Sequence, residues 1–398
     1  MMLLLLILLV LTAVAGHAAL WIAFVNHLHA LALPRPVIRG LSACAYSWLV
    51  AGPVLLVLWA VPLWADLASA SAWWALPWGL VFYGAFCVAL AAGPLPLWFW
   101  QRLTVRPSWV LRSNHTASLD LAHTVSQSPA RGPWARLARL PGNEILHLDV
   151  NEKTIDVPRL PPALDGLSIV HLSDLHFTGR VGQEFFQEVV RLAGELKPDL
   201  VALTGDLVDK AHCIPWIAPT LGRLAARYGV YYVLGNHDLR VDVRRLRTEL
   251  AAAGLIDLGG AWRRVEIAGQ SIALAGNELP WIAPAADIKD CPRTPHEREP
   301  FRILLAHTPD QYAWARKHAF DVMLAGHTHG GQIQIPILGP IVAPSRHGVR
   351  YASGTFYEPP TVLHVSRGLS GLMPLRINCR PELTKLVLRV GRARGVNR

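Results

Sequence analysis

Charge is spread so unevenly along this 398-residue chain that it must contain two physically different parts. Residues 1–101 carry only three charged side chains, Arg35, Arg39 and Asp66, whereas the remaining 297 carry 36 bases and 27 acids. Three charge-free stretches result, Met1–Pro34, Gly40–Ala65 and Leu67–Gln101. Each exceeds the roughly 20 residues that an α-helix needs to cross the hydrocarbon core of a bilayer. Spans are expected near Leu3–Phe24, Ala43–Leu63 and Pro77–Leu97. Trp64, Trp73, Trp74, Trp98 and Trp100 cluster at their ends, where indole rings prefer the headgroup level. Ala15-Gly16-His17-Ala18 loosely resembles a leader cleavage site, but no Lys or Arg precedes the apolar run and the run continues past it. The first stretch therefore reads as a span, with His17 packed inside the bundle and His27 and His29 at the interface.

Arginine placement sets an expected orientation. Arg35 and Arg39 lie between the first two spans, and Arg102, Arg106 and Arg112 follow the third, while the loop between spans two and three has no base. The excess of bases on cytoplasmic loops then puts the amino terminus outside and the large carboxy-terminal part in the cytosol of an inner membrane. Composition excludes other classes: 52% hydrophobic and 17% charged residues suit neither a disordered chain nor a coiled coil. The net charge of +10 is dispersed or sits beside the spans, which suits anionic lipid headgroups and gives no reason to expect a nucleic-acid partner. Five scattered cysteines, Cys44, Cys87, Cys213, Cys291 and Cys379, form no Cys-x-x-Cys and argue against a disulfide framework.

Residues 1–100 are thus expected to form a three-helix transmembrane region, 101–160 a linker and lead-in segment, and 161–390 the soluble domain. Ser126–Pro133 reads as a loop and Glu144–Val157 as a hairpin. Beyond it, Leu167–Leu172, Leu200–Thr204, Val230–Leu234, Ser271–Ala275, Arg302–Ala306 and Val322–Ala325 are short apolar runs suited to buried strands. The amphipathic segments Gln183–Leu196, Ile217–Ala226 and Val241–Ala253 lie after the first three. This alternation predicts an α/β architecture.

Polar residues follow those strands in a repeated pattern: Asp174-Leu-His176, Gly205-Asp206, Gly235-Asn236-His237-Asp238, His307, and Gly326-His327-Thr-His329. Any one of these has a bland reading, since strand-to-helix turns favour Gly and Asp and Asn-His-Asp can cap a helix. Five together, each at the carboxy-terminal end of a strand where α/β sheets bind ligands, point to one site. Asp, Asn and His donors suit divalent manganese, iron or zinc better than thiolate-seeking metals. Nine such side chains exceed what one ion needs and suit two ions sharing a carboxylate. His171 sits inside a strand and reads as a packed core residue. His123, His147, His212, His296 and His318 have no such context and read as surface residues.

These five blocks resemble the signature of the calcineurin-like metallophosphoesterases over about residues 165–380. The resemblance implies a four-layer αββα metallophosphoesterase sandwich with a dinuclear centre, here preceded by the all-α transmembrane region. It implies that Asp174, His176, Asp206 and His329 hold one ion, and that Asp206 bridges to a second held with Asn236, His307 and His327. It further implies that His237 is not a ligand but contacts the phosphate with Asn236 and protonates the leaving oxygen, with Asp238 orienting it. A metal-bridging hydroxide would attack phosphorus. His329-Gly-Gly-Gln-Ile-Gln-Ile-Pro336 and Val365-Ser-Arg-Gly-Leu…Pro374-Leu-Arg-Ile-Asn-Cys-Arg-Pro-Glu382 resemble the membrane-associated YkuE/YaeI-type branch, whose Gly-x-Ser is offset here to Ser370-Gly371. Arg367, Arg376 and Arg380 are candidates for substrate phosphate or for pairing with Glu358 and Glu382. Trp216, Trp281, Ile282 and Trp314 are candidates for an apolar rim.

The expected activity is metal-dependent hydrolysis of a phosphodiester or phosphomonoester, a lipid phosphate or diphosphate among the candidates because the anchor holds the site near the bilayer. The alternatives are a nucleotide or cyclic-nucleotide phosphodiesterase and a metal- or ligand-binding membrane sensor. Transport would need polar residues inside the spans, which hold almost none. A sensor would have lost a ligand or His237, and all are present.

Overall fold

The computed structural model describes residues 2–66, 78–104, 108–122, 134–288 and 300–391. Trp73, Trp74, Arg106, His123, the Ser126–Pro133 loop, Cys291 and His296 fall outside the described residues. The chain divides into two units, one comprising Met1–Arg106 with Ile337–Gly348 and the other Pro107–Pro336 with Val349–Arg398.

The first unit is built on α1 (Met2–His29), α2 (Arg35–Asp66), α3 (Trp78–Ala92) and α4 (Pro94–Thr104). By length and composition, Ile7–His29, Arg35–Leu58 and Trp78–Trp100 are each able to cross a membrane. Small residues let the helices approach: a Cβ on Gly16 would lie 1.8 Å from the Cys87 carbonyl oxygen. His17 is fully buried among them. Its Nε2 donates to the Trp48 carbonyl (3.1 Å), so Nδ1 accepts from the Tyr83 hydroxyl (2.5 Å). The Tyr83 oxygen in turn accepts from the indoles of Trp21 (3.0 Å) and Trp48 (3.3 Å). A polar group in an apolar bundle is tolerable only when satisfied in this way.

The second unit is a sandwich of two mixed sheets. One has seven strands in the order β1 (Leu111–Asp120), β2 (His147–Val157), β15 (Glu382–Val390), β3 (Ser168–Leu172), β4 (Leu200–Thr204), β5 (Val230–Val233) and β6 (Ile256–Asp257). The other has six, in the order β13 (Gly354–Glu358), β14 (Thr361–Val365), β10 (Val322–Ala325), β9 (Phe301–Ala306), β8 (Gln270–Asn277) and β7 (Trp262–Ile267). Two short strands, β11 (Gln334–Ile335) and β12 (Gly339–Pro340), lie outside these sheets. Residues 101–160, expected to be a linker and lead-in segment, supply β1, the short helix α5 (Trp134–Ala138) and β2. Glu144–Val157 is not a hairpin by itself, because its strand pairs antiparallel with β1.

Side-chain alternation along each strand proves the layers. On β4, Leu200 and Ala202 join the apolar layer between the sheets, whereas Val201 and Leu203 pack outward. On β9, Ile303 and Leu305 face inward, and Leu304 and Ala306 join the opposite outer layer. The outer face of the first sheet is covered by α6 (Gln183–Glu195), α7 (Ile217–Thr220) and α8 (Val243–Ala252), and that of the second by α9 (Tyr312–Lys317). Helix α6 buries Phe185, Phe186, Val189, Val190 and Ala193 on one stripe. The Asp242 side chain caps α8 by accepting from the backbone of Arg244 and Arg245. Pro215 and Pro219 flank or interrupt the segment expected as one helix over 217–226, which instead breaks into short turns.

The inter-sheet layer is apolar at one end and polar at the other. Lys153, His171, His364 and Glu382 are all buried there. Lys153 Nζ donates to His364 Nε2 (3.2 Å), His364 Nδ1 then donates to His171 Nδ1 (3.0 Å), and His171 Nε2 donates to the Thr204 hydroxyl (2.9 Å). His171 is thus a core residue, as expected, within a directed hydrogen-bond chain that ends beside the candidate site.

Candidate metal centre

Strands β3, β4 and β5 of one sheet and β9 and β10 of the other end at one place, and every expected ligand lies on the loop that follows. Backbone bonds lace those loops together: Asp174 N–H donates to Gly205 O (3.1 Å), His176 N–H to Asp206 O (2.9 Å) and Gly326 N–H to His307 O (2.9 Å). Glycines make this approach feasible. A Cβ on Gly235 would lie 2.2 Å from Asp206 Oδ1, and one on Gly326 would lie 1.7 Å from Ser173 Oγ. Asp174, His176, Asp206, His327 and His329 all hold φ between 49° and 71°. Non-glycine residues enter this region at a cost and persist there when the surroundings over-determine them, as at functional sites.

Two donor groups emerge, and Asp206 belongs to both. Asp174, His176, Asp206 and His329 form one, and Asp206, His307 and His327 the other. Within each group the ligating atoms lie within 4.8 Å of one another. Asp206 Oδ2 faces His176 Nε2 at 3.5 Å and its Oδ1 faces His307 Nε2 at 3.3 Å. Asn236 Oδ1 lies 3.2 Å from His307 Nε2, beside the second group.

The imidazoles are oriented by their other nitrogens. His176 Nδ1 donates to Asp209 (2.7 Å), His307 Nδ1 to the Thr204 carbonyl (2.7 Å) and His329 Nδ1 to the Ser370 carbonyl (3.2 Å). Each such bond leaves Nε2 as the free donor atom turned into the site, the usual support of a metal-binding histidine. His176 and His329 then bring two Nε2 atoms to 3.2 Å, and His307 Nε2 lies 3.1 Å from His327 Nδ1. Converging nitrogen lone pairs beside buried carboxylates fit a divalent cation.

The electrostatics agree. Burial would raise the Asp206 carboxyl, yet the facing His307 and His237 hold it well below the usual range. Burial raises Asp174 and lowers His329 far below the ordinary imidazole value. Burial would lower His307, yet the Asp206 and Asp174 carboxylates and the Thr204 carbonyl together drive it up to about 9.

His237 departs from expectation in one respect. The structure places Asp209, not Asp238, against its ring: Nδ1 donates to Asp209 Oδ1 at 2.7 Å. Asp238 is committed elsewhere, since its carboxylate accepts from the backbone of Leu207, Val208 and Gly235, each at 2.8 Å. It shapes the two loops rather than the imidazole. Asp209 serves His176 and His237 together, and also accepts from Arg240 Nη1 (2.7 Å), whose Nη2 donates to His237 Nε2 (3.2 Å). His176, Asp209 and His237 also satisfy the geometry of a ligand triad. Asp209 and Arg240 escaped sequence reasoning, although Asp209 stands only three residues past Asp206.

The remaining candidates separate cleanly. Arg367 pairs with Glu382 (3.1 Å) and Asp149 (2.9 Å), and Arg380 pairs with Glu144 (2.9 Å). Arg376 is fully buried and donates to the carbonyls of Arg367 and Ser370. All three hold the carboxy-terminal segment, and Glu358 takes Arg316 and Arg350 instead. Trp216 and Trp314 pack into the outer layers, while Trp281 lies 4.8 Å, ring to ring, from His327 and 5.6 Å from His307. His212 is exposed and His318 packs on Trp314.

A mixed α/β sandwich with paired His/Asp donor groups at its strand ends has the make-up of a metal-dependent hydrolase, and its likeness to known proteins makes it a phosphoric ester hydrolase. Residues 167–331 match the family model of the calcineurin-like phosphoesterases. The chain is 31% identical over 249 residues to the metallophosphoesterase YkuE of Bacillus subtilis, covering 61% of this chain and 86% of that one. It is 32% identical to the phosphodiesterase YaeI of Escherichia coli, covering 55% and 81%. It is 31% identical to a transmembrane protein with metallophosphoesterase domain of Bos taurus, covering 59% and 56%. The chain belongs to the calcineurin-like metallophosphoesterases, in the branch of YkuE and YaeI.

Proposed function

We propose that the protein is a membrane-anchored, dinuclear-metal phosphoesterase that hydrolyses a phosphodiester or phosphomonoester, with a lipid phosphate or diphosphate as the substrate class that tethering favours. One observation carries the reading: two convergent donor groups share the single carboxylate of Asp206. Asp174, His176, Asp206 and His329 would hold one divalent ion, and Asp206, Asn236, His307 and His327 the other. When bound, such ions supply Lewis acidity to phosphoryl oxygens and generate a nucleophile from water near neutral pH.

The protein's own residues provide the rest. His237 keeps 15% of its side chain exposed, and its Nε2 edge faces the Arg240 guanidinium rather than Asp209. Asp209 fixes the tautomer with Nδ1 protonated, which leaves Nε2 to deliver a proton to the departing alkoxide when the ring is charged. Arg240 places a guanidinium beside that edge, where a phosphate oxygen would arrive. Asn236 adds a carboxamide on the same side. Trp281 stands against the rings of His327 and His307, beside the second donor group. The bases Arg35 and Arg39 support a cytoplasmic catalytic unit on a multi-pass inner-membrane anchor.

A second reading, a nucleotide or cyclic-nucleotide phosphodiesterase, is favoured by the half-buried indole of Trp281, which presents a face on which a base can stack. The test is hydrolysis of bis(p-nitrophenyl) phosphate, p-nitrophenyl phosphate and a short-chain phosphatidic acid by the full chain in detergent. Turnover that EDTA abolishes, manganese restores and His237→Ala depresses supports the proposal. A folded, manganese-loaded chain that hydrolyses none of the three contradicts it.

A further inference from the structure

The segment Ile337–Gly348 belongs to the helical unit and not to the sandwich, although it follows the His329 block by only seven residues. Its anchor is Asn26, a buried polar residue in the last turn of α1. The Asn26 Oδ1 accepts from the Ala343 backbone N–H (2.9 Å) and its Nδ2 donates to the Ile341 carbonyl (3.4 Å). Three residues from the end of a helix is a rise of about 4.5 Å. A segment pinned there lies where the candidate span Ile7–His29 leaves the hydrocarbon.

The chemistry of the segment matches that level. Residues 335–344, Ile-Pro-Ile-Leu-Gly-Pro-Ile-Val-Ala-Pro, contain no charged or hydrogen-bonding side chain, and Arg346 and His347 follow. Ala343 and Pro340 turn inward, whereas Ile337 is 90% exposed and Val342 is exposed beside it. Water penalises an isoleucine displayed in this way, and an apolar tip with a basic shoulder is the composition that seats in the headgroup layer of an anionic bilayer. Chain topology allows it: with three spans, the carboxy-terminal ends of the first and third emerge on the same side. The segment therefore reaches Asn26 without crossing.

We propose that Ile337–Gly348 is a membrane-dipping loop, with Ile337 and Val342 inserted among the lipids of an anionic bilayer. The substrate class served by such a loop is a phosphate ester presented by a lipid. This rests on the phosphoesterase reading for the substrate and on the three spans for the bilayer.

The experiment places the photoreactive residue p-benzoylphenylalanine at position 337 of the full chain, reconstituted in vesicles of phosphatidylglycerol and phosphatidylcholine with labelled acyl chains. Leu11, exposed within α1, serves as the in-membrane control position and Lys197 as the aqueous one. Lipid adducts at 337 comparable to those at 11, and at least ten-fold above those at 197, are expected. Adducts at 11 with none above background at 337 overturn the loop. Absence of adducts at 11 as well overturns the spans on which the loop depends. Hydrolysis of bis(p-nitrophenyl) phosphate by the same preparations tests the phosphoesterase reading separately, so the failure of one leaves the other standing.

Discussion

Asp209 bonds two imidazoles at once, one inside the first donor group and one at its open edge. If it acts by holding His237 in one tautomer, Asp209→Asn and His237→Ala remove the same event. Each should lower kcat by about 10²–10⁴-fold, the usual worth of a positioned acid, and the double variant should be little worse than either. Steady-state kinetics on the four proteins of that cycle checks this; additive losses would show that the two act independently. Asp238→Asn should instead lower the melting temperature, because an amide has one accepting oxygen and would leave at least one of the three backbone donors facing an N–H. A second expectation concerns the buried pair His171 and His364. Burial takes His171 down to about 3, and burial, Lys153 and His171 together hold His364 far below the ordinary imidazole value. Above pH 6.5 the rings are neutral in both folded and unfolded chains and contribute no pH dependence. As pH falls below 6.5 the unfolded rings take protons that the folded ones refuse, so stability drops by about 1.4 kcal/mol per pH unit for each ring, and for His171 the loss ends near pH 3. Urea unfolding at pH 7 and pH 5 should show this fall, with a shallower slope in His364→Gln.

Elements that one face of the core dictates were readable, and those it does not dictate were not. Strands β4 and β10 begin and end where the apolar runs do, because both faces of each are buried and no polar residue is tolerated between the ends. Strand β1 was invisible, since its side chains are mostly exposed and its sequence, Leu-Arg-Ser-Asn-His-Thr-Ala-Ser-Leu-Asp, lacks an apolar stripe. Its pairing with β2 is set by the backbone rather than by burial. The five ligand blocks were legible because each stands at the end of a buried strand, in a fixed order. The partner of His237 was not, because Asp209 and Asp238 are equally plausible in sequence and only the loop path chooses between them. Loop packing supplies the prediction at this scale. Gly326→Ala would drive a Cβ to 1.7 Å from Ser173 Oγ and 2.4 Å from Asp174 Oδ2. Shifting β3 and β10 apart should cost on the order of 3 kcal/mol. Differential scanning calorimetry and metal analysis should find a lower melting temperature together with lost metal; unchanged values for both would refute the close approach.

At the scale of the whole chain, helices long and apolar enough to cross a membrane lie in one unit and the sandwich in the other, and the three charged residues of 1–101 fall with the helices. Residues 337–348, far along the sequence, also belong with the helices, where Ala343 and Ile341 bond to Asn26, and no charge pattern announces that. The same limit applies to the site, where five separated blocks converge only once two sheets have stacked. Whether this convergence is a two-ion centre decides what the protein does. The most direct measurement is a manganese titration of the EDTA-stripped full-length protein in detergent, following hydrolysis of bis(p-nitrophenyl) phosphate and bound metal together. Turnover should be absent without metal and rise to a plateau at about two ions per chain, while Asp206→Asn should bind less and remain inactive. A folded chain that binds fewer than two ions at saturation, or that fills with two and shows no turnover, would contradict it.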